Sequence, residues 1–306
     1  MAERKVALVS GASRGIGKVC AIWLARSGFD VALTARTVNP GEEREHSSTL
    51  RKSNTLPLPG SLVETAALVE AEGREALMVP ADLLDLESVD RAVDTVLDKW
   101  GRVDVLVNNA RYIGPGHMDR FMDTPLEILD MHLKANVIAQ LALMKRVIPG
   151  MIERGQGTIV QITSAAGYGD PMKPAGDGGW GMGYGVSKGA FQRIAGFIDV
   201  ELGPQGVRCF NLSPGSVATE RIAQDMAEFG IPNKGAPADV VGAVVAWLAT
   251  SPDADQFTGT NLEAQFVCAD RNLVPGWPGP VRYQNNIRLD ESGTALNRLE
   301  ADIPAG

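Results

Sequence analysis

A tyrosine and a lysine four positions apart, in Tyr184-Gly-Val-Ser-Lys188, are the clearest candidates for chemistry in this 306-residue chain. On a helix, residues i and i+4 share a face, so the phenol and the ammonium stand side by side. A phenol with its ordinary pKa of about 10 is a poor proton donor or acceptor at neutral pH. A neighbouring ammonium favours the phenolate and turns the pair into an acid/base unit. Ser164, at the end of the strand-like run Ile162-Thr163-Ser164, can hydrogen-bond a substrate carbonyl and the alkoxide it becomes, or cap a turn. Asn136 stands within a long helical stretch, where Asn is a poor helix former. It can hold a water that links Lys188 to solvent, or brace local packing.

A second constellation lies at the N-terminus, in Ser10-Gly11-Ala12-Ser13-Arg14-Gly15-Ile16-Gly17. Gly11 suits a tight turn, Gly15 a close approach of backbone to a pyrophosphate, and Gly17 close helix–sheet packing. The free N–H groups and dipole of the helix that follows favour an anion. The next strand ends in Thr34-Ala35-Arg36-Thr37, with no acid before Glu42. A carboxylate there would select NAD(H) by binding the adenosine ribose; Arg36 instead offers a bidentate contact to a 2′-phosphate, with Arg14 nearby. The expectation is NADP(H), the alternative being that Arg36 is an ordinary solvated side chain. Asp82 can accept from the adenine amino group, and Asn108-Asn109-Ala110 sits at a strand's carboxyl end, where ligands bind in open α/β sheets.

The elements that must position these groups follow from periodicity. Lys5–Ser10, Asp30–Ala35, Glu75–Pro80, Val103–Val107, Gly157–Thr163, Val207–Leu212 and Asn261–Val267 read as seven strands, most of them continuously apolar. Helices are predicted near 15–27, 61–72, 85–99, 125–148, 185–203 and 237–250. This alternation predicts an α/β fold with a doubly wound, parallel seven-stranded sheet. Residues 38–60 read as a long surface excursion and 168–183 as a Gly/Pro-rich loop. One catalytic domain is expected over 1–267, with 268–306 as an extension that packs on it or on a neighbouring subunit.

The formal charge of −8 and the absence of a basic cluster with interleaved aromatics argue against a nucleic-acid partner. No apolar run reaches membrane-spanning length, and residues 1–5 lead directly into a strand without a signal-peptide core. Three cysteines, Cys20, Cys209 and Cys268, and three histidines, His46, His117 and His132, show no metal-ligand spacing. A metal-free, cytoplasmic protein is expected.

Taken together, SGASRGIG (10–17), Asp82-Leu83, NNA (108–110), Asn136, ITSAAG (162–167), YGVSK (184–188) and PGSVAT (214–219) resemble the short-chain dehydrogenase/reductase family, over about residues 4–267. The resemblance implies a Rossmann sheet, a homodimer or homotetramer, and a tetrad on Asn136, Ser164, Tyr184 and Lys188. Tyr184 would be the acid/base, Lys188 would lower its pKa and bind ribose, Ser164 would polarise the carbonyl, and Asn136 would hold a relay water. It also implies cofactor contacts from Gly11, Ser13, Arg14, Gly15, Ile16, Gly17, Arg36, Asp82, Leu83, Asn109, Ala110, Pro214, Gly215, Val217 and Thr219, with residues 220–235 as a mobile lid. The function implied is NADP(H)-dependent interconversion of a small-molecule carbonyl and a secondary alcohol. A non-catalytic NADP(H)-binding sensor is the alternative.

Departures from the pattern stand beside the matches. Arg111 follows NNA where glycine is common, and the Ser164–Tyr184 interval is long, with Met172, Trp180 and Met182 expected to roof a substrate entrance. Trp277 and Tyr283 are possible docking groups of the tail.

Overall fold

Strands β1 (Lys5–Ser10), β2 (Phe29–Ala35), β3 (Ala76–Pro80), β4 (Val105–Asn108), β5 (Gly157–Ile162), β6 (Val207–Ser213) and β7 (Asn261–Glu263) form one sheet in the computed structural model, which describes residues 4–221 and 235–280. The order is β3-β2-β1-β4-β5-β6-β7, and every pairing is parallel. Helices α1 (Gly15–Arg26), α2 (Leu62–Ala71), α3 (Leu86–Trp100), α4 (Leu126–Leu133), α5 (Ala139–Glu153), α6 (Met182–Leu202), α7 (Asp239–Thr250) and α8 (Ala264–Asp270) connect or follow the strands.

Side chains alternate across a strand, so β1 feeds two cores at once. Val6 and Leu8 pack with Val93 and Val96 of α3, Leu143 and Val147 of α5 and Ala195 of α6. Ala7 and Val9 pack with Leu24 of α1, Leu62 of α2 and Val244 of α7 on the other face. With both faces covered, the strands carry no polar alternation, which is why their sequences read as apolar runs. Strands β1 and β4 are neighbours whose connections leave in opposite directions, and a crevice opens where they diverge.

Beyond shifts of a few residues at element ends, two expected elements are built differently. The run expected as one helix over 125–148 is α4, a π-helical turn at Lys134–Ile138, and α5, which continues past Pro149 to Glu153. The wide turn contains Asn136, and the Ala135 carbonyl beside it accepts from Gln140 Nε2 at 3.2 Å. Strand β7 stops at Glu263, and the remainder of the expected strand is α8. Its buried Ala264, Val267 and Cys268 recur at i, i+3 and i+4, a helical period hidden in a short apolar run. Helix α8 therefore runs through residue 267, the expected domain limit, and Trp277 beyond it packs against the core. Tyr283 lies outside the described residues.

Among the described residues no helix is long and apolar enough to cross a membrane. Gly17 is the tightest point of the β1–α1 turn: a Cβ there would stand 2.2 Å from the Gly11 carbonyl oxygen and 2.5 Å from Asn109 Nδ2. Gly17→Ala is therefore expected to destabilise the chain by about 1–3 kcal/mol, as overpacking against backbone does, and to lower the thermal midpoint by several degrees in a circular-dichroism melt.

Candidate functional site

A crevice of about 840 Å³ runs along the carboxyl ends of the strands, and it collects most of the expected residues. Gly11, Ser13, Arg14, Gly15, Ile16, Arg36, Asp82, Leu83, Asn109, Ala110, Pro214, Gly215, Val217 and Thr219 line it together with Ser164, Tyr184 and Lys188. Gly17 and Asn136 do not. Gly17 lies beneath the turn, and Asn136 stands behind the wall.

The ends of β1 and β4 are stitched together. Ser10 Oγ accepts from the Asn109 and Ala110 N–H groups, both at 3.0 Å, and donates to the Val107 carbonyl at 3.2 Å. Asn109 Nδ2 donates to the Ser10 and Gly11 carbonyls at 2.9 and 3.2 Å. The turn so held suits a pyrophosphate. Gly15 has φ +55°, and its N–H donates at 3.1 Å to a carboxylate oxygen of Glu220, so an anionic oxygen already stands at the start of α1. Lys18 pairs with the same carboxylate at 2.5 Å. Burial works to raise the Glu220 pKa, but these partners outweigh it and the carboxyl is held below its ordinary value.

Arg36 lines the crevice half-buried, whereas Arg14 is tied down by the Pro59 and Gly60 carbonyls, each at 2.9 Å. Burial lowers the Arg14 pKa; Glu220 opposes this, and the positive charge of Arg36 adds to it. Glu42 does not confront Arg36 with a free carboxylate. It accepts from the Val38 and Asn39 N–H groups and pairs with Arg44, and it stays ionised, with its pKa lowered to about 2. Asp82 accepts from the Leu84 N–H at 2.9 Å. Neither side-chain atom of buried Asn108 has a partner among the described residues.

The excursion expected at the surface is a wall of the crevice. Ser47, Lys52, Asn54 and Leu58 face into it. Buried Asp119 anchors this segment by accepting from Thr49 Oγ1 at 2.6 Å and from the Leu50 N–H at 2.9 Å. Arg221 reaches from the opposite side, donating to the His46 carbonyl at 3.0 Å. Within 168–183, Trp180 lines the crevice, but Met172 is 77% exposed and Met182 begins α6 beside a separate depression. Most of the expected lid, 222–234, lies outside the described residues.

Tyr184 and Lys188 share one face of α6, and Lys188 Nζ donates to the Ile162 carbonyl at 2.7 Å. That bond ties α6 to the end of β5, two residues before Ser164. Burial, and then the charge of Arg111, lower the Lys188 pKa to about 7, so the amine exchanges protons near neutrality. Ser164 Oγ accepts from the Ala166 N–H at 3.2 Å, so it does cap a turn while still facing the crevice. Asn136 uses both ends of its amide: Oδ1 accepts from the Tyr112 N–H at 2.6 Å and Nδ2 donates to Ser187 Oγ at 2.8 Å. It thereby fixes α6 and the loop after β4.

Two groups escaped the sequence reading. The His117 ring stacks on Tyr184, with centroids 4.4 Å apart and planes 11° from parallel. Burial, then the charges of Arg111, Arg221, His132 and Lys188, keep its pKa well below normal, so the imidazole is neutral. Nothing in the spacing of His117 signalled this. Glu263, at the end of β7, accepts a hydrogen bond from the Tyr168 hydroxyl and so braces the turn that follows Ser164. Burial raises the Glu263 pKa to about 7 despite that bond, and burial together with Glu263 pushes the Tyr168 phenol upward.

Comparison with known proteins gives a consistent picture. The family described as short chain dehydrogenase matches residues 58–228. A 3-oxoacyl-(acyl-carrier-protein) reductase from Synechocystis sp. is 31% identical over 261 residues, covering 83% of this chain and 93% of the relative. A cyclohexanol dehydrogenase from Rhodococcus sp. is 28% identical over 227 residues, covering 74% and 79% of the two chains. Among solved structures, carveol dehydrogenase from Mycobacterium avium in complex with NAD is similar with a TM-score of 0.68 at 25% identity, covering 85% of this chain and 95% of that one.

The Glu263 brace carries a pH signature. A carboxyl whose folded pKa of about 7 exceeds the ordinary 4.5 contributes stability that is fully present below pH 4.5 and lost as pH rises through 7. Melts at about pH 5 and about pH 8 are expected to differ less in Glu263→Gln than in the wild type, the group's share being at most about 3 kcal/mol. An unchanged difference would remove Glu263 as its source.

Proposed function

This chain belongs to the short-chain dehydrogenase/reductase family of oxidoreductases, and on that premise we propose that it interconverts a carbonyl and a secondary alcohol with NADP(H). The observation that carries the reading is the convergence of Ser164, Tyr184 and Lys188 on the crevice that also holds the glycine turn and Arg36. Bound there, the nicotinamide supplies the hydride that the carbonyl carbon gains, and takes it back in the reverse direction.

The chain's own groups handle the oxygen. In reduction, Tyr184 gives the carbonyl oxygen its proton while the Ser164 hydroxyl donates a hydrogen bond to the developing alkoxide. Lys188 holds positive charge beside the phenol and binds the ribose. With a pKa near neutrality, it also passes a proton on. Asn136 acts from behind the wall: with both ends of its amide engaged by protein groups, it sets α6 against the loop after β4 in place of the expected water-holding role. Arg36 binds the 2′-phosphate, and support for this comes from the lack of any carboxylate among Thr34, Ala35 and Thr37 at the end of β2. The names of the cyclohexanol and carveol dehydrogenases support a small alcohol or carbonyl as substrate.

The same reading takes the protein to be a homo-oligomer. On α6, Phe197 and Val200 are 60% and 78% exposed, and Leu126 of α4 is 77% exposed. Positions 197 and 200 share a helix face, and apolar patches of this kind mark contact surfaces.

Tyr184→Phe is expected to retain NADPH binding and to lose at least about 100-fold in kcat on a carbonyl or alcohol substrate found by panel screening, the scale of a lost general acid. Turnover within a few-fold of wild type would refute the assignment, whereas its loss also excludes a non-catalytic NADP(H) sensor. Arg36→Ala is expected to weaken NADPH at least about tenfold with little change for NADH, the loss of one charge-assisted phosphate contact. Equal Kd values for the two cofactors in the wild type would remove Arg36 as selector.

A further inference from the structure

Arg111 brings into the crevice a cation that pairs with no acid among the described residues. It follows Asn109 and Ala110 at the end of β4, lines the crevice and is only half-exposed. Its guanidinium carbon lies 5.5 Å from the centre of the Tyr184 ring. Nη1 donates to the Tyr112 carbonyl at 2.9 Å and lies 3.3 Å from His117 Nδ1. Among the described residues, Nε and Nη2 have no protein partner, and no carboxylate pairs with the group.

The surroundings do not make up the deficit. Among the described residues, seven Arg and Lys side chains face the crevice, against four Asp and Glu. Each of those acids is engaged elsewhere: Glu42 with Arg44, Asp82 with the Leu84 N–H, Asp177 with Arg120, and Glu220 with Lys18. His117 is neutral and stacked on Tyr184; its Nδ1 accepts from Arg111 and so orients the guanidinium. A partly desolvated cation that keeps one planar edge of donors free is built for a planar, bidentate anion.

We propose that the substrate is a carbonyl or hydroxy compound that also bears a carboxylate, which Arg111 binds through its Nε and Nη2 edge beside Tyr184. This rests on the carbonyl–alcohol reading above. Arg111 is then the residue that determines specificity. It selects acids over their neutral analogues and orients the carbon skeleton so that the reacting oxygen meets Tyr184 and Ser164.

Calorimetric titration of the full chain in excess NADP⁺ tests this with two probes of equal shape, cyclohexanecarboxylate and its neutral amide, cyclohexanecarboxamide. The wild type is expected to bind the acid at least about tenfold more tightly, the scale of one charge-assisted pair. Arg111→Met is expected to bind the two alike, and Arg111→Lys, a point charge without the fork, to keep part of the preference. Thermal melts identify the folded variants, and Arg111→Gln replaces Met if that variant does not fold. An acid that binds no better than the amide in the wild type, including no binding of either, overturns the proposal. So does a preference that survives in Arg111→Met or Arg111→Gln, or an equal loss of NADPH affinity, which would assign Arg111 to the cofactor. Turnover of neutral ketones with no acid preference defeats the carboxylate anchor alone. Absence of any turnover defeats the oxidoreductase reading instead.

Discussion

The stitch between the carboxyl ends of β1 and β4 is the constraint on which the rest of the crevice depends. One serine hydroxyl and one asparagine amide fasten the glycine turn to the loop that begins with Asn109, and Gly17 supplies the space for that amide. Adjacent parallel strands diverge at their ends, so without cross-links the two loops would be free to move apart. Held together, they bring the N-terminus of α1, with its anion-seeking N–H groups, and the Arg111–Tyr112 segment to facing sides of one space. Buried polar networks of this kind are rigid because each unmade bond would leave a desolvated group behind.

A similar economy governs the other side. Lys188 bonds to a strand carbonyl and Asn136 bonds to both α6 and the loop after β4, so α6 is registered against β5 and against the stitched loops at once. The π turn turns Asn136 inward in the middle of an otherwise continuous helical run. The electrostatic character follows from the same packing. Groups brought together for position are also desolvated together, so Lys188 and His117 lose affinity for protons while Glu263 gains it.

Much of this was legible in the sequence, and for identifiable reasons. The strands covered on both faces announce themselves as apolar runs, and β1 matches its expected limits, Lys5–Ser10. Local motifs, such as the glycine turn and the YxxxK spacing, adopt their expected local geometry because it is set by neighbours in the chain. Long-range partners were not legible. His117 stacks on a residue 67 positions away, and Asp119 and Arg221 pin a segment that polarity alone made look like free surface. Helix α8 was missed because a short apolar stretch with i, i+3, i+4 spacing is ambiguous until its burial is known.

The pinned 38–60 segment also bears on how the molecule folds. Its anchors join residues 70 and 175 positions apart in sequence. Closing loops of that length costs entropy before any contact repays it, and a parallel sheet already imposes non-local pairings. The wall is held by a few side-chain bonds of this kind, whereas the strands share the hydrogen-bonded ladder of the whole sheet. Order in the wall and order in the sheet are thus set by different bonds, and native-state hydrogen exchange is expected to show weaker protection along 46–58 than in β1 and β4.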